Sequence, residues 1–195
     1  MIPTVFLLII GSYLLGNILT ATMISNMFYK KEIQGLGSGN PGARNVGRIF
    51  GKKAFIATFI GDALKGALAV LTARWLGFEP TIEVIALLAV MLGHIYPVFF
   101  RFRGGQGIST FIGGLLAFNP LVFIIFVGIF VIMYLFIRSF TVAGLSAIVL
   151  VPIIIASLSL GTGQFIVASL LSVLILFVHK DDLKEKYMKE RSESK

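Results

Sequence analysis

The stretch from residue 35 to residue 48 combines backbone freedom with hydrogen-bonding side chains. It reads GLGSGNPGARNVGR and holds five glycines, two asparagines, one serine and two arginines. Glycines let successive backbone N–H groups point into one concavity, which favours an anion. The guanidinium groups of Arg44 and Arg48 match the geometry of phosphate. The stretch therefore predicts a cradle for a phosphorylated ligand, with a flexible link as the alternative.

Two nucleotide-binding patterns resemble this stretch, and its context argues against both. Gly37, Gly39 and Gly42 match G-x-G-x-x-G, but that fingerprint needs a preceding strand, and the neighbouring segments here are apolar runs. A P-loop also fails, because Ala43-Arg44 stands where Lys and Ser/Thr are required.

A second glycine-rich turn, residues 104–107, lies near the end of the stretch GHIYPVFFRFRGGQGIST at residues 93–110. It follows Arg101 and Arg103, so it too combines glycines with guanidinium groups. If both stretches face the same compartment, they form one composite anion site; a tight helix connection is the alternative.

Three further groups of ionisable residues are candidates for a functional role. Asp62 and Lys65 lie three residues apart inside an apolar run, where charged groups are costly and are suspected of function. They form either a structural ion pair or part of the chemistry, and His94 is open to the same two readings. His179 and the aspartates after it have the spacing of neither a nucleophilic triad nor a metal site.

Composition indicates an all-α integral membrane protein. Of 195 residues, 57% are hydrophobic and 13% charged, the mean hydropathy is +0.95, and cysteine is absent. The first run is too long for a signal peptide and is expected to be retained. Seven apolar runs are expected to cross the membrane: Pro3–Phe28, Ala54–Leu76, Ile82–Phe100, Ile108–Phe118, Leu121–Ile137, Phe140–Leu160 and Gln164–Val178.

Charge distribution predicts the orientation of these crossings. With the N-terminus outside, fifteen of the seventeen Lys and Arg residues fall on the cytoplasmic side, all except Lys65 and Arg74. Both glycine-rich stretches and the tail at residues 179–195 then face the cytoplasm. The short run Ile108–Phe118 either crosses, re-enters, or joins the next run as a broken helix. We expect a single domain over residues 1–195. The net charge of +8 is first a topology signal and only second a hint of anionic partners, and no nucleic-acid partner is expected.

These blocks together resemble the bacterial membrane acyl-phosphate:glycerol-3-phosphate acyltransferases, the PlsY family. GSGNPGARNVGR with the following DALKGALAV, then GHIYPVFFRFRGGQG, and finally His179 carry the resemblance. It implies a seven-helix inner-membrane enzyme that moves an acyl group from acyl phosphate to the sn-1 hydroxyl of glycerol 3-phosphate, giving lysophosphatidic acid and phosphate. It implies no cofactor, metal or coenzyme A. Membrane lipids are the expected surroundings, and the oligomeric state is open, with a monomer as one possibility.

The resemblance also assigns roles to residues. Ser38, Arg48 and His179 are implied to be catalytic, with a substrate phosphate taking the hydroxyl proton, and Asp62, Lys65 and His94 are supporting residues. The glycine turn is implied to cradle phosphate and to offer N–H groups to the oxyanion. The substrate-binding positions are Gly37, Gly39, Asn40, Arg44, Asn45, Arg103, Gly104, Gly105, Gln106, Gly107 and Asp182.

The chain departs from the family at four positions. The family usually has Thr, Lys, Asn and Ser where this chain has Arg44, Gln106, Asp182 and Asn17. The first three departures change the charge around a phosphate. A paralogue with a different phosphorylated acceptor, weak activity or a regulatory role is one alternative, and a lipid-phosphate-binding or transport protein is another.

Overall fold

A computed structural model describes residues 2–184 and residue 188 and shows that this part of the chain is helical, without a β-strand. Short π-helical or 3-10 segments occur at Ser25–Tyr29, Ile33–Gly35 and Val98–Phe100. The α-helices are α1 (Ile2–Gly16), α2 (Thr20–Ile24), α3 (Ala43–Phe50), α4 (Lys52–Trp75), α5 (Pro80–Ile95), α6 (Ile108–Phe118), α7 (Pro120–Ile137), α8 (Phe140–Ser157) and α9 (Thr162–Val178). They form two compact units, residues 1–120 and 121–195. Whether the chain acts as a single domain stays a prediction.

Length and hydropathy make this a multi-pass membrane protein. Five helical segments of the described residues are long and apolar enough to cross a membrane: Ile2–Tyr29, Lys52–Trp75, Pro80–Phe100, Pro120–Ile137 and Phe140–Ser157. The helices α6 and α9 are apolar but shorter. Asn119 is extended, with φ −153° and ψ 109°, and ends α6.

The first apolar run differs from the expected continuous helix. It breaks at residues 17–19, after α1 ends at Gly16 and before α2 begins at Thr20. The Lys65 ammonium donates to the carbonyl oxygens of Gly16, at 3.2 Å, and Ile18, at 2.9 Å. A non-helical backbone inside a membrane needs such internal partners, because lipid supplies none. The break therefore depends on a side chain from α4.

Close glycine contacts bring the helices of the first unit together. A side chain at Gly16 would lie 2.8 Å from the Gly93 Cα atom, so α1 and α5 approach almost backbone to backbone. A side chain at Gly66 would lie 2.9 Å from the Thr110 carbonyl carbon, which places α4 equally close to α6. Small residues commonly allow such approaches between membrane helices. These contacts pack α1 against α5 and α4 against α6 in the first unit.

The second unit contains α7, α8 and α9. The Ser172 hydroxyl of α9 donates to the Ile148 carbonyl oxygen of α8 at 3.0 Å. His179 follows the end of α9, and residues 180–184 are again helical. Most of the rest of the tail predicted to face the cytoplasm, residues 179–195, lies outside the residues that the structure describes.

Candidate active site

The first glycine-rich loop, residues 36–42, is held by the amide side chain of Asn45. The Ser38 backbone N–H donates to Asn45 Oδ1 at 3.1 Å, and Asn45 Nδ2 donates to the Leu36 carbonyl oxygen at 2.9 Å. Asn45 is 2% exposed, whereas the Ser38 residue is exposed. Gly37 has φ +59°, and a side chain there would also collide with Asn45. The loop thus presents Ser38 to solvent from a fixed backbone.

The sequence indicates one glycine-rich stretch over residues 35–48, but α3 begins within it at Ala43. Only the part before Ala43 is therefore a loop. The backbone N–H groups at the start of α3 have no side-chain cap, since the N-cap residue is Gly42. Arg44 lies in the first turn, which contains no acidic residue, and Arg48 follows one turn later. The positive end of the helix dipole and the positive charge of Arg44 both favour an anion near this turn. Arg44 and Arg48 are exposed.

The second glycine turn is anchored to the end of α5. The Gly104 N–H donates to the Ile95 carbonyl oxygen at 3.1 Å, and the Gly105 N–H donates to the His94 carbonyl oxygen at 3.0 Å. The expectation that these two glycines offer N–H groups to a substrate is therefore not met in this conformation. Gly107, with φ +80°, is the N-cap of α6, and it too provides no side-chain cap.

One hydrogen bond joins the two glycine-rich segments. Asn40 Nδ2 donates to Gln106 Oε1 at 3.0 Å, across 66 residues of sequence. A side chain at Gly105 would lie 3.1 Å from the Pro41 carbonyl oxygen, so the backbones also approach there. The predicted juxtaposition of the two segments is confirmed. At this junction of residues 36–42 with residues 104–107, each segment leads into a helix without a side-chain cap, α3 after Gly42 and α6 after Gly107. The N-terminus of a helix favours an anion.

A buried polar cluster lies next to this junction. Lys65 Nζ is 3.1 Å from Asp62 Oδ1 and 2.6 Å from His94 Nδ1, and the three residues are at most 3% exposed. With the carbonyls of the α1 break, the lysine makes all its polar contacts inside the protein. The geometry favours the structural reading of Asp62 and Lys65 over direct chemistry, because neither side chain reaches solvent.

The remaining candidate residues lie further along the chain or outside these contacts. Arg103 is exposed, and its backbone N–H donates to the Phe100 carbonyl oxygen at 3.0 Å. His179 is buried, with Nδ1 at 2.8 Å from the Ile175 carbonyl oxygen, and Asp182 is exposed; both belong to the second unit. Asn17 Nδ2 donates to the Tyr13 carbonyl oxygen at 2.7 Å, at the break after α1.

Sequence reasoning missed α3 and the contact between Lys65 and His94. For α3 a signal existed, since Ala43, Val46 and Phe50 have helical spacing after Gly42. For the contact between Lys65 and His94 there was no signal, since the two residues lie 29 positions apart on different helices.

Comparison with known proteins identifies the family. Residues 6–188 match the model of a family described as glycerol-3-phosphate acyltransferase. The chain is 48% identical over 176 residues to glycerol-3-phosphate acyltransferase 1 of Bacillus cereus, which covers 90% of this chain and 97% of that one. The chain belongs to the glycerol-3-phosphate acyltransferase family. A second relative of the same family, from Ruthia magnifica, is 38% identical and covers 91% of this chain and 90% of its own length.

Solved structures of this acyltransferase family share the fold. The crystal structure of PlsY (YgiH), an integral membrane glycerol 3-phosphate acyltransferase in its glycerol 3-phosphate form, superposes with a TM-score of 0.88 and 29% identity. The alignment covers 95% of this chain and 93% of that one. A lysophosphatidic acid form of the same protein gives a TM-score of 0.85.

Proposed function

We propose that this chain transfers a fatty acyl group from acyl phosphate to the sn-1 hydroxyl of glycerol 3-phosphate. The observation that carries the proposal is the hydrogen bond from Asn40 to Gln106, which joins the two glycine-rich segments that precede the uncapped N-termini of α3 and α6. Arg44 and Arg48, both exposed, lie in the α3 helix that follows the first segment. Such a junction suits a phosphate dianion, and both proposed substrates carry a phosphate. The names of the solved PlsY forms, with glycerol 3-phosphate and lysophosphatidic acid, agree with this acceptor and this product.

The proposed reaction needs no covalent enzyme intermediate. The acceptor's hydroxyl oxygen attacks the carbonyl carbon of the acyl phosphate, and a C–O ester bond forms. The bond between that carbon and the bridging phosphate oxygen then breaks, and inorganic phosphate leaves. A substrate phosphate takes the hydroxyl proton, so atoms and charges balance without a side-chain base. The chain has no cysteine, and Ser38 serves here to bind substrate.

Arg48 and Ser38 are proposed to hold the acceptor, and Arg44 is proposed to supply a charge that the family has elsewhere. Gln106 lacks the cation usual at its position, whereas Arg44 adds one in the first turn of α3. Both positions border the same junction, so the gain can offset the loss locally. The roles of His179 and Asp182 remain proposals that rest on the family resemblance.

The proposed setting is a bacterial inner membrane with seven crossings, the N-terminus outside and the junction facing the cytoplasm. The positive-inside asymmetry supports this orientation. Both proposed substrates, an acyl phosphate and a water-soluble phosphate ester, then meet at one membrane face.

A direct assay tests the activity. Purified protein is given palmitoyl phosphate, with or without glycerol 3-phosphate, and inorganic phosphate and lysophosphatidic acid are measured. We expect release of phosphate that depends on the acceptor and matches the lysolipid formed. Release with another phosphorylated acceptor only would indicate a retuned paralogue. Binding of lipid phosphate without any release would favour a lipid-binding or transport protein.

Single substitutions test the assignment of the loop. Ser38→Ala and Arg48→Ala should each lower kcat/KM at least about tenfold, because each removes a contact proposed for the acceptor. Ser169→Ala and Arg138→Ala change a half-buried serine and an exposed arginine of the second unit and serve as controls. Near-normal turnover of both loop variants would show that the loop only connects two helices and does not bind the acceptor.

A further inference from the structure

His94, the buried histidine of α5, contacts the buried Lys65 through one ring nitrogen and lies against Gly105 of the junction through the other. Lys65 Nζ lies 2.6 Å from His94 Nδ1. On the other edge, a side chain at Gly105 would lie 2.9 Å from His94 Cε1 and closer still to Nε2. His94 is 2% exposed and therefore has a fixed place between these neighbours.

Counting hydrogen-bond donors fixes the tautomer of this ring. The Lys65 ammonium is paired with the Asp62 carboxylate and has only hydrogens to offer. Its Nζ also faces the Gly16 and Ile18 carbonyl oxygens, which can only accept. His94 Nδ1 must therefore accept from Lys65, since a protonated Nδ1 would set two hydrogens and a positive charge against each other at 2.6 Å. The ring hydrogen accordingly resides on Nε2.

The Nε2 edge faces the place where the two glycine-rich segments meet. The position of a side chain at Gly105 is 3.1 Å from the Pro41 carbonyl oxygen as well as next to the His94 ring. His94 also accepts the Gly105 N–H through its own carbonyl oxygen, at 3.0 Å. Pro41 immediately precedes the N-cap of α3, and Gly105 lies two residues before that of α6. The Nε2 edge of His94 thus lies against Gly105, close to where that residue approaches Pro41.

We infer that His94 is a positioning residue of this site: its Nε2 edge sets the separation of Gly105 from Pro41, while its Nδ1 provides the acceptor that the buried Lys65 ammonium needs for stability. The inference rests on the proposed function for its kinetic consequence. A displacement of about 1 Å at such a site costs up to about a hundredfold in rate, so a fixed spacer matters for catalysis without contacting substrate. The cluster then links the break in the first span to the substrate junction.

Two conservative substitutions separate the two edges of the ring. In His94→Asn the amide oxygen occupies the Nδ1 position and still accepts from Lys65, but nothing remains at the Nε2 position. In His94→Gln the amide nitrogen reaches the Nε2 position, but the acceptor for Lys65 is lost. We measure kcat and KM for glycerol 3-phosphate, together with the melting temperature of each purified variant.

We expect opposite patterns from the two variants. His94→Asn should melt higher than His94→Gln, because it keeps the acceptor for the Lys65 ammonium, and should lose kcat/KM by about tenfold or more. His94→Gln should melt lower yet keep kcat/KM within about threefold per folded molecule. A parent-like kcat/KM in His94→Asn would overturn the inference, as would losses of activity that follow the losses of melting temperature in both variants.

Two further readouts keep the inference separate from folding and from the proposed function. If His94→Asn does not fold, His94→Gln decides alone, and a loss of about tenfold or more in its kcat/KM overturns the inference. If the parent shows no acceptor-dependent turnover, the proposed function fails. The variants are then compared by the Kd for inorganic phosphate, where weaker binding in His94→Asn than in His94→Gln supports the positioning role and equal or stronger binding overturns it.

Discussion

Replacing Asn45 by alanine should loosen the first glycine-rich loop without unfolding the protein. The substitution removes the acceptor for the Ser38 N–H, at 3.1 Å, and the donor to the Leu36 carbonyl oxygen, at 2.9 Å. Each hydrogen bond contributes ~1 kcal/mol net of exchange with water, so the ordered loop loses about 2 kcal/mol. If the ordered loop is needed to hold the acceptor, that loss lowers kcat/KM by about thirtyfold.

The assay is acceptor-dependent phosphate release at several glycerol 3-phosphate concentrations, with the melting temperature measured in the same detergent. For a chain of this size about 2 kcal/mol corresponds to at most about 8 °C, so the variant remains folded at an assay temperature well below its transition. Asn26→Ala is the matched control, since Asn26 is exposed in the π-helical segment outside both glycine-rich segments. A kcat/KM within about threefold of the parent would refute the reasoning, because the loop would then not need its anchor.

Two further predictions concern charge. Gln106→Lys should lower KM for glycerol 3-phosphate, because it adds a cation at the junction, and Asn40 can still contact the new side chain by rotating its amide. The control Gln34→Lys adds the same charge at an exposed position and should leave KM unchanged. An unchanged KM in both variants would point to a different acceptor. Glu83→Gln should weaken the clamp in which Arg74 binds Glu83, at 2.6 Å, and the Phe118 carbonyl oxygen, at 2.8 Å. We expect the free energy of unfolding of Glu83→Gln to fall by about 2 kcal/mol, with kcat/KM unchanged. This loss is smaller than for a fully buried pair because the Arg74 side chain is 45% exposed. The melting temperature checks this against the exposed Glu79→Gln, and equal stability of the two variants would show that the clamp contributes nothing.

Single-residue chemistry made the site predictable in part. Glycine, asparagine and arginine at residues 35–48 indicate an anion cradle wherever the chain places them, and the turn at 104–107 repeats that signal. Ser38, Arg44 and Arg48 are accordingly exposed at the junction. The interpretation failed where the backbone has a competing partner, since the Gly104 and Gly105 N–H groups are taken by carbonyl oxygens at the end of α5.

Membrane class, helical content and family can be predicted from the amino-acid sequence, because they depend on the hydrophobic effect, on helix length and on local motifs. Which distant groups meet follows from the packing of the helices and could not be predicted. The link from Asn40 to Gln106 spans 66 residues, and that from Lys65 to His94 spans 29. Such contacts, like the close approach of Gly16 to Gly93, join helices that are far apart in sequence, and no local pattern encodes them. The break after α1 has the same origin, since Lys65 of α4 supplies the hydrogen bonds that lipid cannot.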